Sequence, residues 1–229
     1  MTQRRFWSLP LAVAILCGLS PKAIWAQGQV APSSSLMSRL RNFLGLQPRS
    51  VSVGGTRSNS MNVVCLLAPG PIEPGRDGPV VRLLELQPVL AMGSALNEIE
   101  LRSGEAVLWS RLASSRSPIK GRLAWPLTPL LGGERLELAM RPKGAAGGDW
   151  AVVRLEVASA EAQQRYTTAL QASVGSTERR LRQLDLAATA GDGALAQALL
   201  WAPHTPNSSA LTALQREQQV NCKSTTSTR

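Results

Sequence analysis

Histidine is nearly missing from this chain: among 229 residues there is one, His204, in the loop Pro203-His204-Thr205-Pro206. Ser-His-Asp and Cys-His chemistry needs an imidazole as proton acceptor, so a hydrolase would have to use His204. No G-x-S-x-G elbow accompanies it. Tyrosine occurs once and phenylalanine twice, which removes the stacking platform that single-stranded nucleic acid requires. Acids are also scarce, 15 against 25 basic residues. The cations lie singly or in pairs, however, rather than in the cluster a nucleic-acid footprint shows. A solvated basic surface is expected, and nucleic acid is not expected as a partner. Metal sites need several His, Cys or carboxylate ligands at defined spacing. One histidine and three dispersed cysteines do not provide them, so neither metal nor cofactor nor a catalytic set is expected.

Long apolar runs are absent too, apart from the first residues. Arg4 and Arg5 precede the apolar stretch Leu9 to Leu19, and "AIWA" offers Ala26 as a cleavage point before Gln27. This is the layout of a secretory signal, shorter than the ~20 residues of a spanning helix. Residues 1–26 are therefore expected to be removed, Cys17 with them, and the protein to act in the periplasm or outside the cell. Of the 229 residues 203 would remain, without an integral membrane segment. The leader holds three basic residues and no acid, so the net charge would fall from +10 to +7. Two cysteines remain, Cys65 and Cys222, 157 positions apart. In an oxidising compartment they are candidates for a disulfide; the alternative is one buried and one exposed thiol.

Residues 27–59 read as a flexible lead with one short amphipathic helix. Leu36, Leu40, Phe43 and Leu44 fall on one helix face, with Ser34 or Ser35 as cap and Gly45 and Pro48 as stop. That face can dock on the protein body, or, flanked by Arg39 and Arg41, lie on a membrane surface through residues 35–46.

From residue 60 to 158 the period becomes two. "NVVCLL", "VVRLLEL", "QPVLAMGSAL" and "NEIELRSGEAVLWSR" read as strands, the last as a hairpin around Ser103-Gly104. "APGPIEPGRDGP" reads as loop. "GRLAW", "ERLELAM" and "WAVVRLEVA" complete seven strand segments, separated by "PLTP", Gly132-Gly133 and "RPKGAAGGD". Short strands with breakers every ten or so residues suit an immunoglobulin-like antiparallel β-sandwich. The fold class is thus mainly β with an α appendage.

That appendage, residues 159–222, holds "SAEAQQRYTTALQAS", "STERRLRQLDLAATAG", "GALAQALLWA" and "ALTALQREQQV" as short helices. Ser159, Ser176 or Thr177, Asp192 and Ser208 or Ser209 are caps and Gly191 a stop. Leu181, Leu184 and Ala188 form the stripe of the second helix. "LAATAGDGALAQALL" resembles the helix-turn-helix of an ankyrin repeat, but occurs once, where such arrays need about three copies. It reads as an isolated helical hairpin. Residues 223–229 form a polar tail.

Few residues stand out as a site. Glu98 and Glu100 share a strand face and read as a solvated face rather than an acid–base pair. Lys143 in "KGAAGGD" lacks the G-K-[ST] ending and following helix of a phosphate loop. Trp109, Trp125 and Trp150 lie on strands or strand edges. They can line a groove for sugar or peptide, or fill the core. For Trp125, two residues from Leu123 on the same face, the core is expected. A leader, a short-stranded sandwich with "WPLTPLLGGERLELAMRP", the hairpin "LAATAGDGALAQALL" and a last helix together resemble secreted cyanobacterial proteins of unknown function. In those proteins an immunoglobulin-like domain precedes a helical C-terminal region. The resemblance covers about residues 60 to 222 in layout and implies an envelope location and no known reaction. The expected role is a non-enzymatic envelope protein whose sandwich meets another protein. The alternatives are a carbohydrate or cell-wall module using exposed tryptophans and a hydrolase using His204.

Overall fold

One strand of 14 residues, Leu90–Ser103, organises the sheet. The computed structural model of the protein describes residues 33–47, 49–52, 63–114, 116–203 and 205–224. The expected leader, residues 53–62, His204 and residues 225–229 lie outside them. In chain order the elements are α1 Ser34–Leu46, β1 Ser50–Ser52, β2 Val63–Ala68, β3 Glu73–Gly75, β4 Gly78–Leu83, β5 Leu90–Ser103, β6 Ala106–Leu112, β7 Ile119–Leu123, β8 Arg135–Pro142, β9 Ala151–Val157, α2 Ala160–Ala172, α3 Thr177–Thr189, α4 Gly193–Trp201 and α5 Ser209–Ser224.

The nine strands form one mixed sheet in the order β1-β2-β5-β8-β9-β4-β3, curled into a half-barrel, with β6 and β7 also on β5. Leu96 pairs with both Ile119 and Pro142, and Met92 with both Leu66 and Gly121. β7 and β6 therefore follow one another along one edge of β5, and β2 and β8 along the other. The sequence reading divides β5 into two strands between Leu96 and Asn97; the structure joins them in one strand, which also contains Gly93. The reason for that glycine lies on the neighbouring strand. A Cβ on Gly93 would stand 2.8 Å from Cys65 Sγ and 3.5 Å from Cys222 Cβ, so a bare backbone is what lets the two cysteines pass over the strand.

Three further expectations change. β1, inside the supposed lead, pairs antiparallel with β2 from Ser50↔Cys65 to Ser52↔Val63. Residues 73–75, read as loop, pair with β4 as a tight hairpin through Arg76-Asp77. Pro74 is tolerated because β3 ends the sheet, where a ladder donor is not needed on the open side. Finally, the arrangement is not wholly antiparallel: β4 and β9 run parallel, Val80↔Arg154 to Leu83↔Val157.

The inner face of the half-barrel is apolar. Val64, Leu66, Leu90, Met92, Leu96, Ile99, Leu101, Leu138, Met140, Val153 and Leu155 are buried there together. Cys65 and Leu67 of β2 point the other way and, with Ala68 beyond a shift in register, join a second cluster with Leu40, Leu44, Tyr166, Leu184, Leu199, Leu200 and Leu214. A strand covered on both faces reads as an unbroken apolar run, which is why "VVCLLA" does not alternate. The helices are consequently not an appendage but a layer closing the outside of β2 and the first half of β5. Leu40 and Leu44 of α1 lie in that layer, so its apolar face meets protein. Three of the expected caps form: Ser159, Ser176 and Asp192 accept from Ala162, Arg179 and Leu195 backbone N–H groups, and Gly191 ends its turn at φ 72°. In α1 the cap is Ser33, which accepts from Leu36 N–H, and not Ser34 or Ser35, which lie inside the helix.

Candidate functional site

Where α4 ends against the sheet, four consecutive carbonyls lack helical partners, as at any helix C-terminus. Side chains from four other places supply donors. Arg180 Nη1 of α3 donates to Leu199 O at 2.6 Å, and Gln215 Nε2 of α5 to Leu200 O at 2.8 Å. Arg122 Nη2 of β7 donates to Trp201 O at 3.0 Å, and the Thr205 hydroxyl to Ala202 O at 2.7 Å. Two guanidiniums thus meet the negative end of the helix dipole. Arg122 also lies over the Trp201 ring, 5.6 Å from its centroid.

The acid facing these guanidiniums is Glu85, in the turn after β4. Burial pushes its carboxyl up from 4.5 to about 7, while a hydrogen bond from Tyr166 of α2 and the charges of Arg180 and Arg122 hold it down. Burial, with Glu85 beside it, raises the Tyr166 hydroxyl further. Arg180 is 1 % exposed, and burial lowers its pKa against the opposing pull of Tyr166 and Glu85. Next to this group Gln197 donates to Leu67 O and Gln218, and Gln218 accepts from Trp201 Nε1 at 2.8 Å. A cleft of about 20 Å³ opens there, lined by Ala68, Pro69, Glu85, Gln197 and Trp201 among others. That is room for about one water. The cluster can bind and release a proton near neutral pH; it has no space for an organic substrate.

This seam went unrecognised in the sequence, although two signals exist. Gln197 interrupts an otherwise apolar helix, and a buried amide must find partners. Arg180 sits four residues before Leu184, on the face that packs inward; the buried set is Arg180, Leu181, Leu184 and Ala187. Arg49, 6 % exposed, gave no such signal. Burial alone lowers its pKa to about 10, and its Nε and Nη2 have no hydrogen-bond partner among the described residues.

The three tryptophans are not brought together. Trp109, opposite Leu101, and Trp125 pack on the inner cluster, near opposite ends of β5. Trp150 lies on the outer face between two guanidiniums, 4.8 Å from Arg102 and 5.7 Å from Arg141. No single groove holds all three. Trp125 shares the inner side with Leu123, as expected, yet it is half-buried rather than enclosed, and Nε1 donates to Thr128 O at 3.2 Å. Glu98 and Glu100 are likewise more than a solvated face. Glu98 pairs with Arg141 at 2.5 Å and Glu100 with Arg102 at 2.6 Å, so Trp150 roofs a charge ladder. The glycine loop with Lys143 is a β8–β9 hairpin connection, closed by Asp149 accepting from Ala146 N at 3.3 Å.

Cys65 and Cys222 are joined by a disulfide, Cα atoms 5.8 Å apart, tying α5 to β2. Among the described residues no three His, Cys, Asp or Glu side chains converge as metal ligands, and no helix is long and apolar enough to cross a membrane. Compared with protein-family models, curated proteins and solved structures, the chain matches none.

Proposed function

We propose that this chain is an exported, non-enzymatic protein of the cell envelope whose β region binds another protein. One observation carries the reading. β6 pairs only with β5 among the described residues, leaving its second edge open, and it exposes Val107 (52 %), Leu108 (46 %) and Leu112 (67 %). Open edges with exposed apolar side chains are what natural sheets avoid unless something pairs with them. The disulfide agrees with an oxidising compartment. An immunoglobulin-like sandwich is the finer fold that goes with this proposal, supported by short strands closing over one apolar interior. A carbohydrate module is less well supported, because Trp150 and the other two rings lie on opposite faces. The hydrolase reading rests on His204, which is outside the described residues.

The test is a photo-crosslinking amino acid at Leu108 or, as control, at Val174, which is 60 % exposed after α2. In cells that export the chain, Leu108 should crosslink to one protein of defined mass and Val174 should not. No product at Leu108, or equal labelling at both positions, defeats the reading.

A further inference from the structure

We infer that the open β6 edge takes an added strand from its partner, and that this strand alternates acidic and apolar residues. The inference rests on the binding role proposed above and adds the chemistry of the partner. Pairing with β5 fixes which way each β6 residue points. Val107 and Leu112 stand opposite Arg102 and Glu98 and belong to the outer face. Trp109 and Arg111 stand opposite Leu101 and Ile99 and belong to the inner face. Leu108 is the extra residue where the register shifts between Leu101 and Arg102.

A strand added to this edge has the same two rows. Its outer row falls over Val107 and Leu112, where apolar side chains cover the exposed carbons. Its inner row falls beside Arg111, which is exposed and has no ion-pair partner among the described residues. Arg116 and Lys120, further along the same edge toward β7, are in the same condition. The acids nearby do not cancel them: Glu98 and Glu100 are held by Arg141 and Arg102, and Glu105, which has no ion pair among the described residues, lies at the far turn. A second copy of the chain brings the same cations to the same edge, and like charges facing each other disfavour it. The charges that keep two copies apart therefore select an acidic strand.

The probes are capped nonapeptides alternating Glu with Val, or Lys with Val, added to the protein, with backbone amide NMR shifts as readout. The Glu-Val peptide should bind and move amides of residues 106–123, while the Lys-Val peptide should not bind. Arg111→Glu/Arg116→Glu/Lys120→Glu should weaken the acidic peptide about tenfold and admit the basic one. A Glu-Val peptide N-methylated along one edge keeps its charge but cannot pair, and should lose binding. Equal binding of the methylated peptide, equal binding of both charges, or shifts elsewhere would overturn the inference. So would self-association abolished by Leu108→Pro, which would make a second copy the occupant. If Leu108 crosslinks to an envelope protein but the Glu-Val peptide does not bind, the binding role stands and the acidic strand falls.

Discussion

Replacing Glu85 with Gln should make this protein more stable above neutral pH, although the change removes a negative charge lying between two arginines. In the folded protein the carboxyl titrates at about 7, against 4.5 in the unfolded chain. Between those values the native state holds a proton that the unfolded chain has released. The contribution is present in full below about pH 4.5 and is lost as the pH rises to about 7. At about 1.4 kcal/mol per tenfold, that gap amounts to about 3 kcal/mol. Gln keeps the shape and stays neutral throughout. Urea denaturation at pH 4 should give nearly equal stabilities, and at pH 8 the variant should exceed the parent by up to about 3 kcal/mol. The opposing effect is the attraction of Arg180 and Arg122, but it already pulls against burial in the raised value, and burial wins. A variant less stable than the parent by about 1 kcal/mol or more at pH 8 would show that the ion pair outweighs burial. Parallel pH curves would show that Glu85 is not the titrating group.

Trp125→Ala should cost about 1–2 kcal/mol by thermal melting, below the ~3–5 kcal/mol of an enclosed aromatic ring, because the ring is half-buried at the rim; a loss above about 3 kcal/mol would put it in the core. Gly93→Ala should cost about 1–3 kcal/mol by overpacking, since the new Cβ stands 2.8 Å from Cys65 Sγ. In a Cys65→Ala/Cys222→Ala background most of that cost should disappear, and an unchanged cost would contradict the explanation given for this glycine.

Local signals were legible wherever a single element decides them. The caps at Ser159, Ser176 and Asp192, the stop at Gly191 and the hairpin through Gly104 follow from side chains within a few residues of the backbone they serve. The same holds for the apolar stripe of α1. What failed was the reading of segments whose structure depends on a distant neighbour. Residues 50–52 are too few to show a period and become a strand only because β2 lies beside them. "EPG" reads as loop by every local rule and is a strand because β4 returns alongside it. The parallel β4–β9 pair joins segments more than 70 residues apart, which no local pattern registers.

The seam followed the same division. Each member looks ordinary in its own segment: Glu85 a turn acid, Arg122 a strand cation, Arg180 and Gln197 polar residues on helices. Their meaning comes from α4, whose open carbonyls have to be met by donors from whatever packs against its end. Arg180, buried there, then needs an acid nearby, and the turn after β4 places Glu85 within reach of it and of Arg122. The β6 edge is the opposite case. Its residues Val107, Leu108 and Leu112 are exposed, and nothing among the described residues covers them. The seam is therefore explained by the fold it closes, whereas among the described residues the edge has no such explanation, and that difference is why the interaction is proposed for β6 rather than for the titrating carboxyl.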